Sequence, residues 1–427
     1  MTDALVLLVT FFVLLVLGMP IAACLGIAAL TMILALGIPI VVVAQRLAAS
    51  VDSFTLVAVP LFILAGNIMA AGGIAHRLVR LSVALVGWLP GGLAAANVLA
   101  SMIFGGISGS ASADLAAIGS VMIPAMRREK YDEGYACALT TAASTLGIMV
   151  PPSIPMILLS AATGTSLIGL FLASYIPAAI IALGMIVAAV VRGIVTGEGA
   201  RRPFSGKEIV ASLIEGFWAL LAPIVIVGGI LLGIFTPTES ASLGVVYVTI
   251  VSMLFYRELS LSQLWQTVVS SMVTTGVIIF ILACASLFAY VLTNAQVPQK
   301  MVQALVSVAQ SPWAYLVIIN GLLLVVGMFL EPPAAIITLS PILLPIALKL
   351  GLNPVHFGLI IIINLAIGLI MPPVGISLFV AKAISGVSVK RISVNVVPFI
   401  VIMIVSLAVF SAFPEISLAL PKLILRR

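Results

Sequence analysis

The chain has 427 residues, of which 63% are hydrophobic and 7% are charged, and its formal net charge is +6. Globular domains carry about 25% charged residues, so this composition excludes a soluble domain and predicts an all-α polytopic membrane protein. The basic residues lie in short loops, where they set topology. The composition therefore predicts the lipid bilayer as a partner and gives no indication of nucleic acid.

Five apolar runs in the first half are long enough to cross a bilayer, which takes about 20 helical residues. The first run lacks the basic flank and the cleavage site of a signal peptide, so we count it as a span. The stretch 72–90 mixes His76 and Arg77 with apolar residues, which predicts an interfacial amphipathic arm. The five predicted spans are roughly 4–18, 21–43, 54–71, 134–163 and 167–192.

A further apolar stretch, at about 93–126, is interrupted at its middle by the segment 105–110 (GGISGS). Non-helical backbone at membrane depth is tolerated only where it is buried or lines a cavity. We therefore predict a re-entrant hairpin that enters and leaves on the same side. The polar segment 196–209 follows the fifth span and is predicted to be a cytoplasmic linker.

The second half repeats this order of elements. A second interrupted stretch, at about 312–350, contains Glu331-Pro332-Pro333 and predicts a second re-entrant hairpin. The stretch 296–311 before it, with Gln296 and Lys300, predicts a second interfacial arm. The five predicted spans are roughly 217–234, 239–255, 273–293, 356–384 and 394–413.

The two halves share a sequence motif. The segment 147–152 (GIMVPP) returns as 368–373 (GLIMPP), and Gly106 matches Gly327 in the same register. We therefore predict a duplication with one half at 1–195, the other at 210–427, and a proline-broken helix in each. Paired, proline-interrupted segments of this kind are typical of the binding sites of secondary transporters.

The basic residues predict opposite topologies for the two halves. Cytoplasmic loops of membrane proteins carry an excess of Lys and Arg. With the amino terminus outside, most basic loops face the cytoplasm, including those with Arg128, Arg192 and Arg391, while Arg46 and Lys349 fall outside. The fold expected is an inverted repeat of five spans plus one hairpin each.

The chemistry is expected where the helices break. Proline removes an amide donor and displaces the preceding turn, so carbonyls near Gly147, Val150, Gly368 and Met371 lose their helical partners. Freed carbonyls can coordinate Na⁺, and half-helix amino termini favour anionic groups. The hairpin tips offer candidate substrate ligands, namely Ser110, Ser112 and Asp114 on the first, and Glu331 and Pro333 on the second.

Three acidic residues have a structural alternative as well. Asp114 could cap the helix that follows the first tip, and Glu331 could be a surface turn residue. Glu239 follows Thr236-Pro237-Thr238 at the start of a span, where a carboxylate stabilises the first helical turn. We predict that Glu239 is a structural cap.

Four segments resemble one known family. They are 146–160 (LGIMVPPSIPMILLS), 233–244 (GIFTPTESASLG), 368–379 (GLIMPPVGISLF) and 413–423 (FPEISLALPKL). Together they resemble the large membrane subunit of tripartite ATP-independent periplasmic (TRAP) transporters over essentially the whole chain. The resemblance implies an ion-transporter-superfamily elevator fold in the bacterial inner membrane. It also implies a small four-helix membrane subunit, a periplasmic substrate-binding protein and Na⁺-coupled uptake of a carboxylate.

The resemblance also implies two Na⁺ sites, each between a hairpin and the broken helix of the same half. Met371 stands where the family often has Thr, so a hydroxyl ligand is missing there while the carbonyl remains. Carried over by residue, the first site uses Ser108, Gly147, Val150 and Pro152, and the second uses Gly327, Gly368, Met371 and Val374.

Other functions stay open at this stage. A proton-coupled, one-component carboxylate carrier of the same superfamily would fit the same repeats. The segment 106–109 (GISG) matches the G-x-S-G of intramembrane serine proteases, but such an enzyme needs a His beside the Ser. A passive channel would need a continuous polar pore. The expectation is a transporter rather than an enzyme, and the sequence leaves open whether the carboxylate is a C4-dicarboxylate, a sialic acid or a relative of these.

Overall fold

The structure is a computed structural model that describes residues 2–51, 54–199, 203–294 and 311–425. These ranges form helices and contain no β-strand, which confirms the all-α prediction. The predicted arm at 296–311 lies outside the described residues except for Ser311. We label the helices of the described ranges α1 to α19 in chain order.

The first half of the chain contains ten of these helices. Ser166 and Asp132 begin helices by accepting a hydrogen bond from a backbone N–H of the first turn. The helices are α1 Thr2–Val16, α2 Ile21–Ala35, α3 Val41–Val51, α4 Phe54–Ala71, α5 Ile74–Val86, α6 Gly92–Ser108, α7 Ala111–Arg128, α8 Glu133–Ser144 with a 3₁₀ turn Thr145–Ile148, α9 Ile154–Thr163 and α10 Leu167–Thr196.

The second half contains the remaining nine. The predicted cap at Glu239 is confirmed, because its Oε2 accepts a 2.8 Å hydrogen bond from the Thr236 backbone N–H in a capping box. The helices are α11 Gly206–Leu231, α12 Pro237–Ile250 with a π turn Val251–Phe255, α13 Leu261–Asn294, α14 Pro312–Phe329, α15 Pro332–Lys349, α16 Pro354–Gly368, α17 Ile376–Ser385, α18 Val389–Ala412 and α19 Pro414–Ile424.

Several predicted span boundaries differ from the structure. The predicted span 21–43 is divided, because α2 ends at Ala35 and α3 begins at Val41 after a turn that contains Gly37 and Pro39. Helices α11 and α13 begin at Gly206 and Leu261, well before the predicted starts, because their first turns are polar and were not counted as apolar. By length and composition, seven helices of the described ranges are able to cross a membrane, and α4 with α5 adds an eighth if that bent pair is one span.

Both predicted hairpins have two helical limbs with a short break between them. In the first, α6 ends at Ser108 and α7 begins at Ala111; in the second, α14 ends at Phe329 and α15 begins at Pro332. The proline-rich segments also break their helices, between α8 and α9 and between α16 and α17. The Pro151-Pro152 and Pro372-Pro373 peptide bonds are both cis.

The helices pack in two groups. Helices α1 to α4 and α11 to α13 contact mainly one another. Helix α5 turns away from α4 by 70° and packs on helices of both groups, namely α11 and α6. Both hairpins, both broken helices, α10, α18 and α19 form the other group. Within this second group the halves interlock, since α17 packs on α7, α18 on α8 and α9 on α15.

Ion pairs gather the basic loops at one end of the molecule. Arg77 Nη1 lies 2.6 Å from Glu258 Oε1, and Arg391 Nη2 lies 2.6 Å from Asp132 Oδ2. Arg80 pairs with Glu208 at 3.1 Å and with a second carboxylate on α11. The positive-inside rule predicts that this end faces the cytoplasm.

Candidate functional site

A cavity of about 390 Å³ lies where the two hairpin tips and the two helix breaks meet. Pockets for small molecules usually measure about 300–1,000 Å³, so this one suits a small solute. Helices α4 and α13 close one side of it. The lining residues are Ile63, Asn67, Ser108, Gly109, Ser110, Ala111, Ser112, Ala113, Ile148, Ile154, Pro155, Thr274, Ile278, Glu331, Pro332, Pro333, Leu369, Ile376, Ser377 and Val380.

Four of the five predicted substrate ligands line this cavity. Ser110 and Ser112 come from the first tip, and their hydroxyl oxygens lie 3.1 Å apart. Glu331 and Pro333 come from the second tip, and the Glu331 side chain is exposed to the cavity. The structure therefore brings candidate ligands from both halves to one place.

The fifth predicted ligand, Asp114, lies elsewhere. Its side chain is fully buried and does not line the cavity. A Cβ built on Gly147 would lie 3.5 Å from Asp114 Cβ, which places this carboxylate behind the first break. The Ser101 hydroxyl, which is also buried, is its polar neighbour there. The helix cap is Ser110 instead, whose Oγ accepts from the Ala113 N–H at 3.4 Å.

The first hairpin tip and the first break are in very close backbone contact. A Cβ on Gly105 would lie 2.4 Å from Gly147 Cα, and one on Gly109 would lie 2.6 Å from the Pro152 carbonyl oxygen. Only glycine permits such an approach. Ser108 is also buried here, and its Oγ lies 3.5 Å from the Ser110 carbonyl oxygen.

Val150 completes this junction, since its Cγ1 lies 3.0 Å from a Cβ built on Gly106. The structure thus places the four residues of the first predicted Na⁺ site around one junction of hairpin and break. Their carbonyl and hydroxyl oxygens are the ligand type that a hard cation prefers.

The second hairpin and the second break form a similar junction. A Cβ on Gly368 would lie 2.4 Å from the carbonyl carbon of Gly327. The Met371 N–H donates to the Gly368 carbonyl at 3.1 Å. Gly375 has φ +37°, and a Cβ there would lie 2.9 Å from the Met371 carbonyl oxygen. Val374 is the residue before this glycine, so the second predicted set also surrounds one turn.

Four helix amino termini point at the cavity, since the first residues of α7, α9, α15 and α17 all line it. The partial positive charge of a helix amino terminus favours anions by about 0.3–1 kcal/mol. Ser110 and Ser153 cap α7 and α9 with their side chains, whereas α15 and α17 have no side-chain cap. The arrangement can hold an anionic group.

Sequence reasoning missed the residues on the α4 and α13 side. Asn67 and Thr274 line the cavity from these helices, with Ile63 and Ile278 beside them. A signal was present, because Asn67 is a polar residue in an apolar span and α13 begins with a run rich in Ser and Thr. Only the packing of distant segments brings them to the hairpin tips.

The protease alternative finds no support in the described residues. Ser108, the serine of the GISG segment, is buried and hydrogen-bonds only within its own tip. His356 Nδ1 bonds to Ser417 Oγ at 2.7 Å, and His76 lines a different cavity. Neither histidine is placed to act as a base for this serine.

The chain matches the family described as "Tripartite ATP-independent periplasmic transporter, DctM component" over residues 8–416. It is 40% identical over 371 residues to the C4-dicarboxylate TRAP transporter large permease protein DctM of Pseudomonas aeruginosa, covering 87% of each chain. It is 35% identical over 386 residues to the sialic acid TRAP transporter large permease protein SiaM of Vibrio cholerae, covering 90% of each. A Salmonella typhimurium protein, YgiK, is 39% identical over 419 residues, with 97% of this chain and 96% of YgiK covered.

Among solved structures, the YdaH transporter of Alcanivorax borkumensis has a similar fold, with a TM-score of 0.63 over 86% of each chain. At 12% identity this likeness concerns the fold alone.

Proposed function

This chain belongs to the DctM family of large permease subunits of TRAP transporters, and from that premise we propose that it imports an organic acid together with sodium ions. The chain is a multi-pass protein of the inner membrane. The observation that carries the proposal is the cavity in which both hairpin tips and both helix breaks meet.

The anionic character of the substrate follows from the helix termini. Four amino termini favour a carboxylate at the cavity through their partial positive charge. At α15 this is an effect of the helix dipole rather than of the first backbone donors, because Pro332 and Pro333 have no N–H. The hydroxyls of Ser110, Ser112 and Ser377 add further donors. The named relatives transport C4-dicarboxylates and sialic acid, and we propose an organic acid of this general kind for the present chain.

The two junctions support the proposed sodium coupling. Each places the carbonyl oxygens of a helix break beside a hairpin of the same half, and a carbonyl oxygen with one hydrogen bond, such as that of Gly368, keeps a second lone pair for a cation. An ion bound at each junction would offset the charge of the incoming acid and of Glu331. We therefore propose Ser108, Gly147, Val150 and Pro152 for one ion, with Gly327, Gly368, Met371 and Val374 for the other.

The two helix groups support the proposed elevator mechanism. The hairpins, the broken helices, α10, α18 and α19 would move as one body against α1 to α4 and α11 to α13. This body includes α10 and α18 because they pack directly on α6 and α8. Both junctions then cross the membrane barrier intact with the cavity.

The partners proposed are a small four-helix membrane subunit and a periplasmic substrate-binding protein. The test is uptake of a radiolabelled acid by proteoliposomes that hold both membrane subunits, with the binding protein outside. We expect accumulation without ATP and only under an inward Na⁺ gradient.

Accumulation that persists when choline replaces Na⁺ at constant pH would overturn the sodium coupling and favour a proton-coupled carrier. Equal uptake with and without the binding protein would instead indicate a one-component carrier. Counterflow without any gradient separates both from a passive channel.

A further inference from the structure

A second cavity, here called the vestibule, adjoins the transport cavity on its cytoplasmic side. Its volume is about 830 Å³, and it lies between α4, α7, α13 and the arm α5. Asn67 and Thr274 line both cavities, so they form the neck between them. At its cytoplasmic end the vestibule is lined by Arg77, Glu215 and Glu258.

The hydroxyl groups on the α13 wall of the vestibule donate their protons to backbone carbonyl groups of the same helix. Thr267 Oγ1 donates to the Gln263 carbonyl at 2.8 Å, Ser270 Oγ to the Thr267 carbonyl at 3.0 Å, and Thr274 Oγ1 to the Ser270 carbonyl at 3.1 Å. A hydroxyl has one donor and two acceptor sites. These three oxygens, on one face of the helix, therefore present acceptors only.

The hydrogen bonds of Ser271 determine the orientation of the Asn67 amide. Ser271 Oγ donates to the Thr267 carbonyl at 2.7 Å, so it can only accept from Asn67, whose Nδ2 lies 2.9 Å away. The amide must present its nitrogen to Ser271, and its Oδ1 is the group left for a ligand. The neck thus offers two acceptors, Asn67 Oδ1 and Thr274 Oγ1.

Of the described residues, those that α7 contributes to the vestibule add no free hydroxyl donor. Across the vestibule, α7 contributes Ala116, Ala117 and Ser120, and the Ser120 hydroxyl also donates to its own helix at 2.9 Å. Arg77, further toward the cytoplasm, is paired with Glu258 and lies over the Tyr256 ring at 3.7 Å. His76 lines the same end.

We propose that Asn67 and Thr274 form a transient binding site for a monovalent cation at this neck. A cation that leaves the transport cavity toward the cytoplasm is held there by the two oxygens and by water, and it then passes along Ser270 and Thr267 toward Glu258. The row of acceptor oxygens on this face of α13 attracts a cation. The inference rests on the proposed sodium coupling and adds a site that lies outside both hairpin junctions.

The first experiment measures inhibition of uptake by sodium on the cytoplasmic side. Right-side-out proteoliposomes of the complete complex are loaded with graded Na⁺, with choline as the balance, at fixed external Na⁺. Thr274→Val, which keeps the shape of the side chain and removes the oxygen, should raise the half-inhibiting luminal Na⁺ concentration at least threefold. The half-saturating external Na⁺ concentration should not change.

Two variants serve as controls. Thr274→Ser keeps the oxygen and should behave like the wild type. Thr293→Val removes a hydroxyl that is likewise bonded to its own helix on α13 but lies away from both cavities. If luminal Na⁺ inhibits uptake by Thr274→Val and by Asn67→Leu as it inhibits uptake by the wild type, the proposed cation site at the neck is overturned. Wild-type uptake that does not depend on external Na⁺ would overturn the proposed sodium coupling and this inference with it.

The second experiment does not depend on sodium coupling. Ser270→Cys is labelled from the cytoplasmic side with a cationic and an anionic thiosulfonate, and the rates are divided by those of a free thiol. The native thiols of Cys24, Cys137 and Cys284 are buried and give little background. The cationic reagent should react faster, and Thr274→Val should reduce that preference. An equal or faster reaction of the anionic reagent would overturn the proposal.

Discussion

The two helix breaks share a motif but differ in how firmly the protein holds them. In the first, Val150 to Ser153 are all buried, and the Ser153 hydroxyl donates to the Ile148 carbonyl at 2.6 Å. In the second, Met371 to Val374 are partly or fully exposed, and Gly375 begins α17 without a side-chain cap. Duplicated sequence has therefore produced one enclosed junction and one open junction.

We infer from this difference that the two proposed ion sites differ in how far they are preorganised. A preorganised site binds with less loss of conformational freedom than one that must be ordered. We expect the first junction to keep its geometry whether or not an ion is bound. The second junction is expected to tighten on binding, which would couple it more closely to substrate. The following experiments test that comparison in order of decreasing effect.

The largest effect is expected from filling the glycine contacts. Gly105→Ala drives a methyl group to within 2.4 Å of Gly147 Cα, and Gly368→Ala does the same against the backbone of Gly327. Overpacking of this kind costs about 1–3 kcal/mol or more. Both variants should lose uptake, and Gly105→Ala should lower the thermal midpoint more, because the break beside it is buried at Val150 to Ser153 whereas Met371 to Val374 are partly or fully exposed.

Two glycines on the same hairpins provide matched controls. A Cβ on Gly119 would meet its neighbours at 3.5 Å, an ordinary contact, and one on Gly321 would meet no atom of the described residues within 4 Å. Gly119→Ala and Gly321→Ala should keep both uptake and stability. Alanine favours a helix more than glycine does, so equal damage from all four variants would contradict close backbone approach as the cause.

The next effect concerns the ion affinity of each junction. Ser108→Ala removes a buried hydroxyl whose hydrogen bonds within the tip are long, at 3.5 Å, so folding should be little affected. Loss of one ligand should raise the half-saturating Na⁺ concentration about tenfold, which corresponds to about 1.4 kcal/mol. Wild-type Na⁺ dependence of this variant would contradict a role for the hydroxyl.

The reverse experiment applies to the second junction. Met371→Thr adds a hydroxyl beside the Met371 carbonyl, at a turn that is partly exposed and can accommodate the change. We expect the half-saturating Na⁺ concentration to fall about threefold, or about 0.7 kcal/mol. Met371→Val, which has a similar shape without the oxygen, is the control and should show no such fall.

A stability effect is expected from the cap of the first break. Ser153 Oγ also accepts from the Met156 N–H at 3.4 Å, so Ser153→Ala removes both a cap and a buried hydrogen bond. Such a change costs about 1 kcal/mol. The thermal midpoint of the purified protein should fall, while Na⁺ affinity should change less than in Ser108→Ala.

The smallest effect is expected at the ion pair that joins the halves on the cytoplasmic side. Burial raises the pKa of Asp132, but the hydrogen bond from Arg391 and that from the Tyr135 N–H outweigh it and lower the pKa below its ordinary value. Asp132→Asn keeps the helix cap and removes the charge, which should cost about 0.5 kcal/mol.

The pH dependence of that pair follows from the direction of the shift. A carboxyl group with a lowered pKa in the folded state stabilises the protein above its unfolded pKa, and the contribution is lost as pH falls through the folded pKa. The thermal midpoints of the wild type and Asp132→Asn should therefore differ at neutral pH. They should converge in acid, as the pH falls below about 4 and through the lowered folded pKa. A difference in thermal midpoint that persists in acid would contradict this account.

Local chemistry explains which features the sequence could predict. Glycine and proline restrict or free the backbone at their own positions, so the segments 105–110, 147–152 and 368–373 indicated the hairpin and the breaks directly. The cap at Glu239 was predicted for the same reason. These features need no knowledge of distant contacts.

Packing explains what could not be predicted. Asp114 follows a tip by a few residues, yet the turn of α7 carries it behind the first break, away from the cavity. Asn67 and Thr274 meet the tips only because α4 and α13 pack beside each other. The predicted Na⁺ ligands and the inverted repeat remain predictions, supported by the geometry of the two junctions.

The interlocked halves have a consequence for biosynthesis. Helix α7 emerges long before α17, which packs on it, and α9 before its partner α15. At ordinary synthesis rates this delay is roughly 10–50 s. During that time the first hairpin, with the carboxylate of Asp114, lies in the membrane without the second-half helix α17 that packs on it. A chain cut in the linker 196–209 should therefore be degraded, and co-expression of the missing half should rescue it.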